Sequence, residues 1–372
     1  MSDVNIDLVG KEGGRGALAH QLSSGRLDVG RMRPFVGKDG KTYVTAYQGG
    51  NPKKPEAWKT FQVNAPGTLR RDEWIQLDEA LLGIAEQRLT GTNHLIGAGL
   101  SFTLGNAMGT TVLEYHNVGD ALVAELSMDA VTRTKGDRQE FDSVFLPIPI
   151  IHVDWEINQR ALENSRRLGN PLDTSMTERA GRKVMEKQEE MLFTDTNYSY
   201  GGGTIYSFLN FPQRIHPGGT GDQQIANISD WASALVSGEE IVEEVLAMKQ
   251  ASITNHFYGP WDLFIPTNFE TKLDEDYSDA KGENTIRDRI LRISGVENIV
   301  VVDKLPDSNV VFVQRSTDVI RIVQGLALQN LQDQTEFGFV NKFKTLSIQV
   351  PQIRADQNGR TGLVHNFVEA GT

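Results

Sequence analysis

The chain has 372 residues and no cysteine, which excludes disulfide frameworks, thiolate zinc sites, iron–sulfur clusters and cysteine nucleophiles. Its 39% hydrophobic and 23% charged residues are typical of a soluble globular protein, and its length predicts two or three domains. The formal charge of -12 disfavours tight binding of polyanions. We see no export signal and no long apolar run, so we expect a protein that is made and kept in the cytoplasm and has no membrane segment.

Residues 1–68 are predicted to form an extended N-terminal arm. They contain many glycines and few large apolar side chains, and they show neither a 3.6-residue nor a two-residue period. Such a segment buries too little apolar surface to order by itself, so we expect a neighbouring subunit to hold it. The alternative is that the arm packs along its own domain.

An amphipathic helix is predicted at 70–89, directly after the arm. Its apolar face is formed by Trp74, Leu77, Leu81 and Ile84. Five glycines between 91 and 109 then predict an irregular connection.

Strand patterns begin at residue 110. Residues 111–115 and 122–126 flank a turn-forming sequence and are predicted to pair as a hairpin. A polar tip follows between Met128 and Phe141, with charged side chains at Arg133, Lys135, Asp137, Arg138 and Glu140. From the residues alone, such isolated charges indicate a solvated loop tip.

The apolar strand at 148–157 is bounded by prolines. Pro147 and Pro149 cannot donate hydrogen bonds to a sheet, so this strand is predicted to be an edge strand or to be interrupted.

The longest helix with a readable start and end is predicted to begin near Ser175. Ser175 and Glu178 have the Ser-x-x-Glu spacing of a capping box, in which each side chain satisfies a free amide of the first turn. A narrow apolar stripe follows, formed by Met176, Ala180, Val184, Met191 and Leu192. Charged residues occupy the other faces, which predicts a helix of about 18 residues buried along one side.

The remaining elements predict an α+β fold. A second Ser-x-x-Glu at 237–240 starts a helix that runs to about 251, with Ile241, Val245, Leu246 and Met248 on its apolar stripe. A third helical stripe at 286–293 ends at Gly295. Strands are predicted at 261–265, 299–302, 310–313, 319–323 and 346–350, the last ended by Pro351.

No catalytic, cofactor-binding or metal-binding residues are predicted. His152 and Asp154 share a strand face but lack a third ligand, and the acidic run from Asp274 to Glu283 lacks the glycine and glutamate of a calcium loop. Serine-hydrolase, Walker and dinucleotide motifs are missing, although paired carboxylates far apart in sequence leave an unrecognised hydrolase open.

Four stretches resemble the major capsid proteins of tailed bacteriophages of the Hong Kong 97 type, and also the related encapsulins. They are FLPIPIIHVDWEI at 145–157, SRRLGNPLDT at 165–174, AGRKVMEKQEEMLF at 180–193, and the glycine-rich and LNFP sequences at 202–212. The resemblance implies an N-terminal arm, an extended β-hairpin loop, a long spine helix with a peripheral β-sheet, and an axial domain.

The resemblance also implies a division of the chain. The expected parts are the arm at 1–68, a helix and glycine-rich connection at 69–109, the hairpin loop at 110–157, the spine helix and peripheral domain at 158–222, the axial domain with part of the peripheral domain at 223–340, and a return strand with the C-terminal tail at 341–372.

The function implied is a coat protein that assembles as hexamers and pentamers into an icosahedral virion shell enclosing double-stranded DNA, without sequence-specific binding. Separate scaffolding, portal and decoration proteins are expected partners. In this context the five charged residues of the hairpin tip become candidate subunit contacts. The alternatives are an encapsulin enclosing a protein cargo, and an unrecognised hydrolase or another phage structural protein.

Overall fold

The computed structural model describes residues 35–39, 41–47, 58–62, 73–77, 90–117, 142–160, 163–164, 175–277, 284–335, 340–356 and 358–368. The helices are α1 (Thr90–Gly97), α2 (Ser175–Phe193), α3 (Gly238–Thr254), α4 (Glu270–Leu273) and α5 (Ile286–Leu291). The strands are β1 (Phe35–Val36), β2 (Thr42–Tyr47), β3 (Trp58–Gln62), β4 (Ser101–Thr103), β5 (Val112–Asn117), β6 (Asp142–Pro147), β7 (Ile151–Asn158), β8 (Tyr198–Tyr200), β9 (Gly203–Ile205), β10 (Trp261–Ile265), β11 (Val296–Val301), β12 (Asn309–Gln314), β13 (Ile320–Thr335), β14 (Val340–Ile353) and β15 (Leu363–Phe367).

Two four-stranded sheets form the centre of the molecule. The long-strand sheet has the order β4-β13-β14-β7, and the short-strand sheet has the order β11-β10-β12-β15. Strands β1-β2-β3, within the predicted arm at 1–68, make a three-stranded sheet. Phe35 packs against the cluster of Trp74, Trp155 and Phe343 of the same chain, so this part of the arm lies on its own domain, as the alternative predicted. Strands β5-β6 and β8-β9 form two-stranded sheets. This mixture of helices and largely antiparallel strands is the predicted α+β class.

Helix α2 is the predicted spine helix, and it packs on β14 and β7 of the long-strand sheet. Val184, Leu192 and Phe193 are completely or almost completely buried. Each contributes roughly 1.5–3 kcal/mol through burial. The predicted stripe was wrong at Met176, which is 40% exposed, whereas the next residue, Thr177, is fully buried.

The long-strand sheet is larger than the sequence indicates. Strands β13 and β14 pair over most of their length, with register shifts between Gln324 and Gln329. The prediction that Pro351 ends its strand was wrong, because Pro351 pairs with Ile322 inside the sheet. The ladder between β14 and β7 stops at Ser347, so the edge beside Pro351 needs no amide donor. Strand β7 is an edge strand, as predicted.

Helices α3 and α5 cover the short-strand sheet. The capping box of α3 is confirmed, since Ser237 accepts from the amide of Glu240 and the Glu240 side chain accepts from the amide of Ser237. Ile241, Val245 and Met248 are fully buried, whereas Leu246 is exposed and does not belong to the stripe. Strand β10 has the predicted bounds and pairs with β11 in parallel and β12 antiparallel.

The structure contradicts one prediction about residues 90–126 and leaves another untested. The glycine-rich segment contains α1 and β4 instead of an irregular connection. Strand β5 pairs with β6, from Val112 opposite Pro147 to Asn117 opposite Asp142. The predicted partner, 122–126, lies outside the described residues. Of the predicted helix at 70–89, residues 73–77 are described and helical, with Trp74 and Leu77 buried.

Candidate assembly surface

The base of the hairpin formed by β5 and β6 is anchored in a buried apolar cluster. Leu146 and the following Ile148 pack with Val323, Ile348 and Val350 of the long-strand sheet. Six residues on each strand span about 20 Å, at roughly 3.4 Å per residue. The start of β5 and the end of β6 are therefore held against the long-strand sheet.

A second hairpin, β8-β9, packs against the first. At Gly203 a Cβ atom would stand 2.1 Å from the carbonyl oxygen of Phe145, so only glycine allows this approach. The adjoining strands expose three aromatic side chains, Phe145, Tyr198 and Tyr200, of which Tyr200 is 56% exposed. Exposed aromatic side chains that lie close together are typical of protein contact surfaces.

The five charged residues predicted at the hairpin tip, Arg133, Lys135, Asp137, Arg138 and Glu140, lie outside the described residues. The structure gives the two strands that lead to the tip. Their partners in other subunits stay a prediction.

A groove of about 300 Å³ lies beside the hairpin base. Its walls include Tyr115, Phe145, Tyr206, Pro212 and Asp356. Burial raises the pKa of Tyr115, although the nearby positive charge of Arg354 opposes this shift. The tyrosine therefore remains a neutral hydroxyl at physiological pH.

The spine helix is joined to α1 by a buried carboxylate. Glu189 Oε1 accepts a 2.8 Å hydrogen bond from the amide of Gly91, in the first turn of α1. Burial raises the pKa of Glu189, and the hydrogen bond from the Gly91 amide opposes that shift. A side chain on Gly91 would collide with the ring of Phe193, which explains the glycine in this helix.

Helix α1 is also joined to the short-strand sheet. His94 Nε2 lies 2.9 Å from Asp262 Oδ2, and Asn298 donates to Asp262 Oδ1 at 2.8 Å. Asp262 is fully buried, and the ring of Phe264 meets the imidazole edge to face. One short helix thus contacts both the spine helix and the second sheet through polar side chains.

A buried histidine fixes strand β15. Arg214 Nε donates to His365 Nδ1 at 3.3 Å, and His365 Nε2 lies 2.9 Å from Asn309 Oδ1. Because Nδ1 accepts, Nε2 must carry the proton and donate to Asn309. Burial and the positive charge of Arg214 lower the pKa of His365 to about 3.

Sequence reasoning did not identify Glu189, His94, Asp262 or His365. Their roles depend on neighbours from distant parts of the chain, and no local motif marks them. Within the described residues, no group of three or more His, Cys, Asp or Glu side chains could hold a metal ion. The helices described here include none with the length and apolarity to cross a membrane.

Comparison with known proteins places most of the chain in one family. Residues 64–366 match the family described as "Family of unknown function (DUF6260)". The chain belongs to this family. The DUF6260 chain is also 25% identical, over 220 residues, to the type 1 encapsulin shell protein EncA of Myxococcus xanthus (strain DK1622), covering 58% of this chain and 68% of EncA.

Solved structures resemble the DUF6260 chain over about three quarters of its length. A virus-like particle from Pyrococcus furiosus matches with a TM-score of 0.56 and 15% identity, over 78% of this chain and 98% of that one. The capsid of Myoviridae phage XM1 matches with a TM-score of 0.56 and 13% identity, over 76% and 93%. The DUF6260 chain has the Hong Kong 97-type capsid fold, which confirms the fold that the sequence motifs imply.

Proposed function

We propose that this protein is a major capsid protein, the repeating subunit of an icosahedral shell around phage DNA. The observation that supports it best is the fold, in which a spine helix lies on a long-strand sheet and a hairpin is anchored at its base. The XM1 capsid shares this fold over 93% of its chain. No residue has a catalytic role in this proposal.

An encapsulin is the second candidate. Its support is the sequence similarity to EncA and the structural match to the particle from Pyrococcus furiosus. Both candidates use one fold and one assembly principle, so they differ in the enclosed material. DNA is the expected content of a phage shell, and a protein is the expected content of an encapsulin.

The proposed partners are other copies of this chain, arranged as hexamers and pentamers. Scaffolding, portal and decoration proteins would be separate chains, and the enclosed double-stranded DNA would be held without sequence-specific contacts. With a formal charge of -12, the subunit is not suited to tight binding of DNA. The proposed location is the virion capsid, with synthesis in the host cytoplasm.

The hairpin is the proposed contact element between subunits. Its base carries the exposed rings of Phe145, Tyr198 and Tyr200. We assign the charged residues of its tip, from Arg133 to Glu140, to polar contacts with a neighbour. An anchored base supports this assignment, because a fixed origin reduces the entropy lost when the loop docks.

The decisive experiment is assembly of the purified protein. The full-length chain, expressed alone and together with a scaffolding protein, should sediment as particles of uniform diameter that electron microscopy shows as closed shells. A monomer under every condition would contradict the proposal. A charge-neutral surface variant such as Gln250→Asn, on the exposed face of α3, serves as the control and should assemble normally.

The enclosed material separates the two candidates. Particles isolated from the native source and treated with nuclease should release protected DNA after disruption. Mass spectrometry that instead finds one abundant second protein, without protected DNA, would favour the encapsulin.

A further inference from the structure

A small cavity lies where three elements of the fold meet. It is lined by Thr92 of α1, Gln188 of the spine helix and Gln349 of β14, with apolar walls from Leu192, Ile322 and Pro351. The volume in which the centre of a water-sized sphere can lie is about 10 Å³. That volume corresponds to one water molecule and to nothing larger.

Each polar residue of this cavity has a buried oxygen without a hydrogen-bond partner among the described residues. These atoms are Thr92 Oγ1, Gln188 Oε1 and Gln349 Oε1. Thr92 and Gln188 are each only 3% exposed, so bulk solvent does not reach them. Buried polar atoms are almost always satisfied by protein or by ordered water, so three such atoms around one cavity indicate a ligand.

The orientation of the Gln188 amide is fixed by the sheet. Its Nε2 donates to Ser347 Oγ at 2.8 Å, and Ser347 Oγ donates to the carbonyl oxygen of Leu326 at 3.1 Å. The Oε1 atom of Gln188 is therefore the end of the amide that needs a donor.

The three groups together match the hydrogen bonds of a water molecule. The two glutamine oxygens can only accept, and the threonine hydroxyl can donate. A water molecule can donate one proton to each glutamine oxygen and accept the proton of Thr92. We propose that a single structural water occupies this cavity and bridges α1, the spine helix and β14.

A metal cation fits these groups less well. Calcium takes six to eight oxygen ligands, usually with carboxylates, and magnesium requires octahedral coordination. This cavity offers three neutral oxygens, and none of the described residues that line it carries a carboxylate. The nearby Glu189 is already bonded to the amide of Gly91.

The bridging water would add to the polar contacts that Glu189 makes with Gly91 and that Gln188 makes with Ser347. Thr92 lies in the helix that also reaches the short-strand sheet through His94. Gln349 lies in the central long strand. The water would therefore help to hold α1 in register with the spine helix and the long-strand sheet, independently of whether subunits form a shell.

The direct test is a density map of the full-length protein, as a crystal or an assembled particle, at a resolution that shows other buried waters. We expect a peak about 2.7–3.2 Å from all three oxygens. An empty cavity would overturn the proposal. So would a peak with cation distances of about 2.3–2.6 Å whose occupancy follows the salt.

A double-mutant cycle tests whether the water links the two ends of the bridge. Thr92→Val removes the hydroxyl at nearly constant volume, and Gln349→Leu removes the facing oxygen. The decrease in melting temperature of the double variant should be smaller than the sum of the decreases of the two single variants, because either change alone already breaks the bridge. Strict additivity would contradict the bridge.

Thr92→Ser is the matched control, since it keeps the hydroxyl and removes only a methyl group. The water peak should remain in the map of this variant, and its decrease in melting temperature should add to that of Gln349→Leu. If Thr92→Val does not fold, the wild-type map and the serine variant decide the question alone.

Discussion

The buried imidazole of His365 should make the subunit's stability depend on pH. In the folded protein its pKa is lowered to about 3, against an ordinary value of 6.5, because burial and the positive charge of Arg214 oppose protonation. Between these values the unfolded chain binds a proton that the folded chain does not. The free energy of unfolding therefore falls as the pH drops below 6.5.

The expected loss follows from the two pKa values. At pH 5 an unfolded histidine is almost fully protonated and His365 is not, which costs about 2 kcal/mol relative to pH 8. Any folded pKa below about 4 gives nearly the same figure at pH 5. The other titrating groups add their own pH dependence, so the contribution of His365 must be isolated by substitution.

The change His365→Gln removes the titrating ring and keeps an amide that can donate to Asn309. Denaturant unfolding of unassembled subunits at pH 8 and pH 5 should show about 2 kcal/mol less pH dependence in this variant than in the wild type. His152→Gln is the control, because His152 is exposed on the edge strand β7 and the variant should keep the wild-type dependence. Equal pH dependence in wild type and His365→Gln would refute the reasoning.

Three further predictions concern assembly and the spine helix. Replacing both Arg133 and Arg138 by Glu should leave folding of the subunit unchanged but weaken the shell, because charge contacts of about 0–1 kcal/mol each are repeated at every subunit. Shells of normal heat resistance would contradict this. Deleting residues 2–34, which leaves β1 and the buried Val44 of β2 in place, should leave a cooperative melt but prevent closed shells. Protection of this segment from hydrogen exchange in free subunits would argue against it. Glu189→Gln should keep or raise the unfolding midpoint at pH 8, because the raised pKa of Glu189 means that its ionisation destabilises the folded protein as the pH rises. Glu189→Ala should instead lower the midpoint, because it leaves the Gly91 amide without an acceptor.

Local signals in the sequence determined several elements correctly. The spine helix begins at Ser175, where the Ser-x-x-Glu pattern predicts its start. Helix α3 begins at Gly238, directly after the predicted capping box at Ser237, because capping depends on residues three positions apart. Strand β10 was predicted with its correct bounds, since its apolar run is fully buried and ends at Pro266. Of these elements the spine helix lies among the stretches between 145 and 212 that carry the resemblance to capsid proteins, and the fold could be inferred from those stretches.

Other features were decided only by the tertiary structure. Strands β13 and β14 extend through polar residues and through Pro351 because each is held by the ladder of the other, and a ladder does not depend on local apolar patterns. Helix α1 contains two glycines and is stabilised by Glu189 and His94, whose partners lie 98 and 168 residues away. The low pKa of His365 and the small cavity beside Gln188 likewise arise from burial among distant segments, which is a property of packing and not of any window of sequence.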